Sequence, residues 1–319
     1  MKATVVIVVY RSEDVLAGCL ESIPADVEVV VVNQSLLLEH VEALALRERP
    51  DAKVIAAGRN RGFGAGCNLG AANATGEVIV FLNPDARFVS DACERLVAAT
   101  LRHEGAMVGP RIVDEQGDEV TRARNWSSPW SETFNLLVPL RMQPKRWQRD
   151  LPPDDAVYAE GGEVPYVQGA CMAIGRGRFL ATGGFDETFF LFGEEEFLAR
   201  KVRAGGGGVF LEPAATIAHA GHTSTAKTGG FAAEQYFRTA GVMYRRDVGL
   251  DRSVGLIRGA ARAWPLLAAL AFLLVTAPAR RRIGYRKSET GEWCRSALLG
   301  LMRGVLLRPV VGTDPASIG

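Results

Sequence analysis

Paired cysteines, a marked net charge of either sign and an apolar run of spanning length are all missing from this 319-residue chain. Its five cysteines, Cys19, Cys67, Cys93, Cys171 and Cys294, are odd in number and show no CxxC spacing, which argues against a disulfide framework and a zinc-finger cage. They read instead as reduced thiols packed as small hydrophobes. Lys and Arg number 37 against 36 Asp and Glu, so global charge gives no sign of a nucleic-acid partner and any electrostatic recognition is local. The opening MKATVVIVVYRSE reaches polar residues too soon for a secretory leader, which places the chain in the cytoplasm. No internal repeat is present. A hydrophobic share of 48% is what a folded globular body needs, and the length suits one elaborated α/β core with an appendage.

What is abundant is β-branched residues in short runs. ATVVIVVY and VEVVVVN are too continuous for half-exposed strands and suit a sheet covered on both faces. Between them SEDVLAGCLESI has helical spacing, with Ser12 at the N-cap position. A helix over 37–49, a strand at AKVIAA, a helix after the glycines and a strand at EVIVFL complete a βαβαβαβ pattern. Right-handed crossovers then give a doubly wound, mostly parallel, Rossmann-like sheet with helices on both faces and ligands at the carboxyl ends of its strands. Residues 1–90 would be the nucleotide-binding half, 91–248 the acceptor-binding and catalytic half, and 249–319 a helical tail. Within the second half, 114–165 is rich in Pro and Trp and lacks clean periodicity, which suits an ordered lid over the substrate or a linker.

Gly62, Gly64 and Gly66 fall within five positions in RNRGFGAGCNLG. Bare backbone there can take positive φ or let phosphates approach the main chain, with residues 68–74 then winding into a helix. One strand later Asp85 follows Pro84 in FLNPDA. A carboxylate at that edge can hold a hard cation between two phosphates, or simply form a turn after the proline. In FGEEEFLAR, Glu194, Glu195 and Glu196 stand in a row, where repulsion and partial burial raise at least one pKa as a general base requires; on a helix they point in different directions. A solvated, dipole-stabilised helix start is the competing reading. His219 and His222, spaced i, i+3, could ligate a divalent ion or touch phosphate.

Taken in order, VVIVVYRSEDVLAGCLESI, RNRGFGAGCNLG, FLNPDA, QGACMAI, GGFDETFFLFGEEEFLARK and HAGHTS resemble family-2 bacterial glycosyltransferases of the A-type fold, in particular their rhamnosyltransferase-like branch, over about residues 3–245. The resemblance implies an inverting enzyme that moves a sugar, with L-rhamnose from dTDP-rhamnose favoured, onto a lipid-linked cell-envelope glycan. A UDP-hexose donor and a non-catalytic nucleotide-sugar-binding scaffold are the alternatives. It implies Mg²⁺ or Mn²⁺ on Asp85, with Asn83 in place of a first acid and His219 after the last strand. Tyr10, Asn33, Asn60, Gly62, Phe63, Gly64 and Asn68 would line the donor side. Glu195 would be the base, with Glu194 and Glu196 as substitutes, while Gly169, Gly184, Phe185, Asp186 and Trp126 would face the acceptor. Two positions depart from the family pattern: Val32 stands where an Asp usually helps to read the base, and Phe197 replaces a second acid.

The tail carries the local charge that the whole chain lacks: from Asp251 onward 11 Arg or Lys face 4 acids. AWPLLAALAFLLVTAP, residues 263–278, is shorter than the ~20 residues of a spanning helix and is followed by Arg280, Arg281 and Arg282. It reads as an interfacial or re-entrant segment on an anionic membrane surface, against a buried helix or a tilted span. The protein is thus expected to lie peripherally on the inner face of the cell membrane.

Overall fold

A computed structural model describes residues 3–35, 37–121, 123–138, 142–220, 229–246, 263–274 and 291–306. Alternate residues of β1 (Ala3–Val9) serve two different cores: Val5, Ile7 and Val9 pack into one, Val6 and Val8 into the other. That double burial is why the run is continuous rather than alternating. Parallel to β1 lie β2 (Glu28–Asn33), β3 (Lys53–Ala56) and β4 (Val78–Leu82), in the order β3-β2-β1-β4. The helices α1 (Glu13–Glu21), α2 (Leu38–Glu48) and α3 (Phe63–Ala72) make the crossovers. Ser12 takes the N-cap position of α1, but its hydroxyl makes no capping bond.

The second half departs from the doubly wound expectation. β5 (Ala86–Val89) leaves β4 after the Pro84 turn and pairs antiparallel with β9 (Val209–His219) at the far edge of the sheet. β8 (Cys171–Gly175) enters antiparallel between β4 and β6 (Met107–Val113), and β6 runs parallel to β9, which also pairs with the short β7 (Gly162–Glu163). The sheet is therefore mixed, with β5, β7 and β8 running against the others. β8 is not delivered by a short helical crossover from β4, so nothing in its apolar run dictates its direction.

One face of the sheet is covered by α1, α2 and α4 (Ala92–Arg102), through Leu16, Leu20, Val41 and Leu96. The other is covered by α3, α7 (Arg176–Ala181) and α8 (Glu194–Ala204), through Cys67, Phe179, Leu198 and Val202. All five cysteines are buried and none forms a disulfide, and burial pushes the Cys93 thiol up to about 12. Such thiols pack rather than react.

The segment expected as a lid holds α5 (Pro129–Leu137), capped by Ser128 with Pro129 in its first turn, a 3₁₀ turn over Lys145–Trp147, and α6 (Val157–Glu160). In the tail, α9 (Gly229–Arg246), α10 (residues 263–274) and α11 (Gly291–Leu306) bury a third cluster around Phe237, Tyr244, Leu266, Leu270, Ala297 and Leu301. One face of the apolar tail segment is thus protein core. Residues 275–278 and Arg280 to Arg282 lie outside the described residues. Among the described residues no helix is long and apolar enough to cross a membrane.

Candidate functional site

Antiparallel pairing of Ala86 with His219 places the turn after β4 beside the end of β9. Asp85 Oδ1 and His219 Nε2 consequently stand 3.2 Å apart, and Ala220 donates its N–H to the Asp85 carbonyl at 3.2 Å. Asn83 pins the same turn to β8: its N–H donates to Ala170 O at 2.9 Å, and its carbonyl accepts from Ala86 N at 3.1 Å. One carboxylate oxygen and one imidazole nitrogen suit a divalent cation such as Mg²⁺ or Mn²⁺ that fills its other positions with water and phosphate oxygens. Among the described residues no cluster of three His, Cys, Asp or Glu stands ready to cage an ion. His222 lies outside the described residues.

The glycines answer to protein, not to open space. Helix α3 begins at Phe63, five residues earlier than expected, so Gly64, Gly66 and Gly70 are helix interior. A β-carbon on Gly66 would meet Val8 Cγ1 at 2.6 Å, and one on Gly70 would overlap Val6 Cγ1. Gly62 has φ 93°, and a side chain there would strike the carbonyl of Phe190, which also accepts from Phe63 N at 3.3 Å. Gly64 abuts Phe185. The N-terminus of α3, expected to receive phosphate, is covered in this structure by residues 185–190. The loop before it is held by side chains: Asn60 Oδ1 accepts from Gly62 N at 2.9 Å, Gln34 Oε1 from Arg61 N at 2.8 Å, and Gln34 Nε2 donates to Gly62 O at 3.1 Å.

Several residues assigned to donor or acceptor likewise serve the scaffold. Asn68 grips Phe185 from both sides, accepting from its N–H at 2.8 Å and donating to its carbonyl at 2.9 Å. Gly184, φ 68°, leaves room for that carboxamide. Phe185 is buried among Phe63, Phe81 and Phe179, so its ring is core and does not face an acceptor. Asp186 Oδ1 accepts from the N–H and the hydroxyl of Thr188, at 2.9 and 2.6 Å, which closes the turn. Asn33 is buried, its Oδ1 accepting from Ser35 N at 2.8 Å. Tyr10 is half-buried at the carboxyl end of β1, with the Arg11 guanidinium 5.3 Å from its ring centre.

The three adjacent glutamates at the start of α8 meet three different surroundings. Glu194 is buried near Gly64 and Cys67; desolvation, then the Glu195 charge, holds its carboxyl well above the ordinary range, and its Oε2 has no hydrogen-bond partner. A protonated acid fits such a place. Glu196 is buried too, but Oε1 accepts from Arg200 at 2.7 Å and from the N–H and hydroxyl of Ser127 at 3.0 and 2.9 Å. Its carboxylate is committed. Glu195 keeps partial exposure, and a β-carbon on Gly169 would come within 3.8 Å of its carboxyl carbon, so the glycine leaves space beside it. Burial raises its pKa and the Arg124 charge pulls it back. Phe197 is apolar because α9 covers that face: it packs on Phe189 with ring centres 5.1 Å apart, next to Val242 and Met243.

Trp126 stacks on Tyr166, ring centres 5.8 Å apart, under the Arg200 guanidinium at 4.7 Å. Ser127, Gln34 and Arg124 escaped the sequence reading. Gln34 stands next to Asn33 without a motif of its own, and the other two lie in a stretch with no periodicity.

Residues 4–176, more than half of the chain, match the family model described as Glycosyl transferase family 2. A low-salt glycan biosynthesis hexosyltransferase, Agl10, of Haloferax volcanii is 26% identical over 63% of this chain and 61% of its own length. An N-acetylglucosaminyl-diphospho-decaprenol L-rhamnosyltransferase of Mycobacterium tuberculosis is 25% identical over 56% of this chain and 62% of its own. The chain therefore matches less than two thirds of either relative. Among solved structures, the mannosyltransferase PcManGT of Pyrobaculum calidifontis with GDP-Man and Mn²⁺ superposes with TM-score 0.56 at 15% identity, covering 96% of this chain and 87% of that one. GalNAc-T7 with UDP, GalNAc and Mn²⁺ gives TM-score 0.54 at 21% identity over 76% of this chain and 48% of its own. These likenesses show a shared A-type α/β fold.

Proposed function

The chain belongs to glycosyl transferase family 2, and on that premise we propose that it is an inverting, metal-dependent glycosyltransferase moving a sugar, L-rhamnose from dTDP-rhamnose by preference, onto a lipid-linked cell-envelope glycan. The observation that carries the reading is the division of labour among the glutamates. Glu194 is buried with no hydrogen-bond partner at Oε2 and Glu196 is bound to Arg200 and Ser127, which leaves Glu195 beside Gly169 as the carboxylate with room for an acceptor hydroxyl. The relative from Mycobacterium tuberculosis, whose name joins rhamnose transfer to a diphospho-decaprenol acceptor, supports the donor and the lipid.

In this reaction Glu195 takes the proton of the acceptor hydroxyl as its oxygen bonds to the anomeric carbon. The bond from that carbon to the nucleoside diphosphate breaks, and its electron pair leaves with the diphosphate. Single displacement inverts the configuration. Asp85 and His219 would hold a divalent cation, which when bound supplies neutralisation of the charge growing on the diphosphate. Asn83, through its backbone bonds to Ala170 just before β8 and to Ala86 of β5, keeps Asp85 at the edge of the sheet. Attachment to a membrane would use the outer face of α10, where Trp264 and Phe272 are 68% and 59% exposed, together with the arginines that follow in sequence.

Thermal shifts with dTDP, UDP and GDP, each with Mn²⁺ and with chelator, identify the donor class, since a ligand bound by the folded state raises its stability. With the donor so identified, Glu195→Gln should lower turnover about 10²- to 10⁴-fold while leaving the nucleotide shift intact. Unchanged turnover would remove Glu195 from the reaction.

A further inference from the structure

Helix α5 inverts the usual pattern of a surface helix, which hides an apolar stripe and shows its polar residues. Its buried residues are Ser131 and Glu132, whereas Trp130 and Leu137 are 57% and 40% exposed. Seven residues apart, these two stand on one side of the helix, two turns from each other. Met142, just beyond α5, is 67% exposed.

Polar anchors hold α5 in this orientation. Arg149 donates to the buried Glu132 at 2.9 Å, and its guanidinium lies 5.0 Å from the Tyr236 ring centre on α9. Asn135 donates to Trp147 O at 3.0 Å, and Leu136 reaches the third cluster, which α9, α10 and α11 share. A buried ion pair of this kind can fix which way an element faces even where it adds little stability. At the other end Ser127 donates its N–H and hydroxyl to Glu196 of α8, and Ser128 opens α5 through a capping box. The outward rings therefore belong to a helix whose rotation is set from both ends.

Charge indicates what would cover them. Residues 129–149 carry Arg141, Lys145, Arg146 and Arg149 against Glu132 alone, in a chain whose net charge is only +1. Arg149 is committed to Glu132, and the other three cations are in excess. Aromatic and aliphatic side chains beside an excess of Lys and Arg suit an anionic lipid surface, where the apolar groups enter the headgroup boundary and the cations meet phosphates. Two helical turns and Met142 also fall well short of the roughly 20–30 residues a side that a stable protein interface uses.

We propose that the outer face of α5 is a second lipid contact, separate from that of α10, which lays the start of α8 against an anionic membrane surface. The inference rests on the lipid-linked acceptor of the proposed function and gives that acceptor a place to arrive: Ser127, just ahead of α5, is bound to Glu196, the neighbour of Glu195.

Vesicle binding by the whole chain needs no substrate and is read apart from the reaction. Trp130→Ser combined with Leu137→Ser should weaken sedimentation with phosphatidylglycerol vesicles about tenfold or more, at an unchanged melting temperature. A milder pair of variants guards against misfolding. In Trp264→Phe, phosphatidylglycerol brominated in its acyl chains should still quench part of the tryptophan fluorescence, and adding Trp130→Phe should remove most of that part. Equal sedimentation of the α5 variant and the wild type, equal quenching with and without Trp130, or equal binding of the wild type to phosphatidylcholine overturns the proposal. So does a lipid-free dimer that the α5 substitutions dissolve, since the face would then belong to a second copy. Sedimentation lost in Trp264→Ser with Phe272→Ser but kept in the α5 variant would leave attachment through α10 standing and remove only the contact through α5. Loss of turnover in Glu195→Gln tests the reaction separately.

Discussion

At the scale of the residue, identical side chains in sequence do different work because a helix turns them into different media. Glu194, Glu195 and Glu196 are chemically indistinguishable in the chain. Desolvation, reinforced by the neighbouring Glu195 charge, acts on the first with no cation beside it to offset it, and its Oε2 is buried without a hydrogen-bond partner. The folded state therefore binds the Glu194 proton more tightly than the unfolded chain, whose carboxyl titrates near 4.5. The resulting stability is fully present below the unfolded value and is lost as pH rises toward the folded one. Glu194→Gln, neutral at every pH, escapes that loss. Its melting temperature should exceed that of the wild type by a margin that widens between pH 5 and pH 8. A constant margin across this range would mean that Glu194 is ionised in the folded protein. The row of carboxylates and the upward shift of at least one of them were legible in FGEEEFLAR; which of the three stayed open was not, because that depends on Ser127 and Gly169, distant in sequence.

At the scale of the element, α3 shows how a correct motif can carry a different physical reason. The glycines were visible, and so was a helix after them. What the sequence cannot display is the distance between that helix and β1, which is set by Val6 and Val8 pressing on Gly70 and Gly66. Each helix-interior glycine costs roughly 1 kcal/mol of propensity relative to alanine. Gly70→Ala recovers that but drives a β-carbon into Val6, whose strand is fixed by β2 and β4 on either side. Overpacking of this kind typically costs about 1–3 kcal/mol, so the net effect should be destabilising. Urea denaturation should show a lower midpoint for Gly70→Ala, with part of the loss recovered when Val6→Ala is added to it. Simple additivity of the two substitutions would refute the contact. The same limit applies to the sheet. β1 to β4 were legible because helical crossovers tie direction to sequence, whereas β8 and β5 owe their antiparallel entry to partners far along the chain.

At the scale of the whole molecule, α9 joins the tail to the site. Tyr236 packs edge-on against Phe192 at 6.2 Å and Phe231 against Phe190 at 6.1 Å, and Val242 and Met243 pack with Phe189. The segment they grip leads directly into α8 and Glu195. On its other side α9 shares a core with α10 and α11. Sequence periodicity alone left residues 263–278 between a membrane segment and a buried helix. The described part is both inward and outward facing: Leu266, Leu270 and Leu273 are buried, while Trp264 and Phe272 are exposed. A helix without a single charge that shows two aromatic rings to solvent, with Arg280, Arg281 and Arg282 following in sequence, fits an anionic lipid surface. On the proposed function, such docking would let the protein meet a lipid-borne acceptor while its donor arrives from water. Trp264→Ser combined with Phe272→Ser should weaken sedimentation with phosphatidylglycerol vesicles at least about tenfold, each ring contributing on the order of 1.5–3 kcal/mol if it enters the interface. Because both rings point away from the third core, the melting temperature should change little. Equal sedimentation of variant and wild type would assign the exposed rings to another surface and leave the acceptor to reach Glu195 from solution.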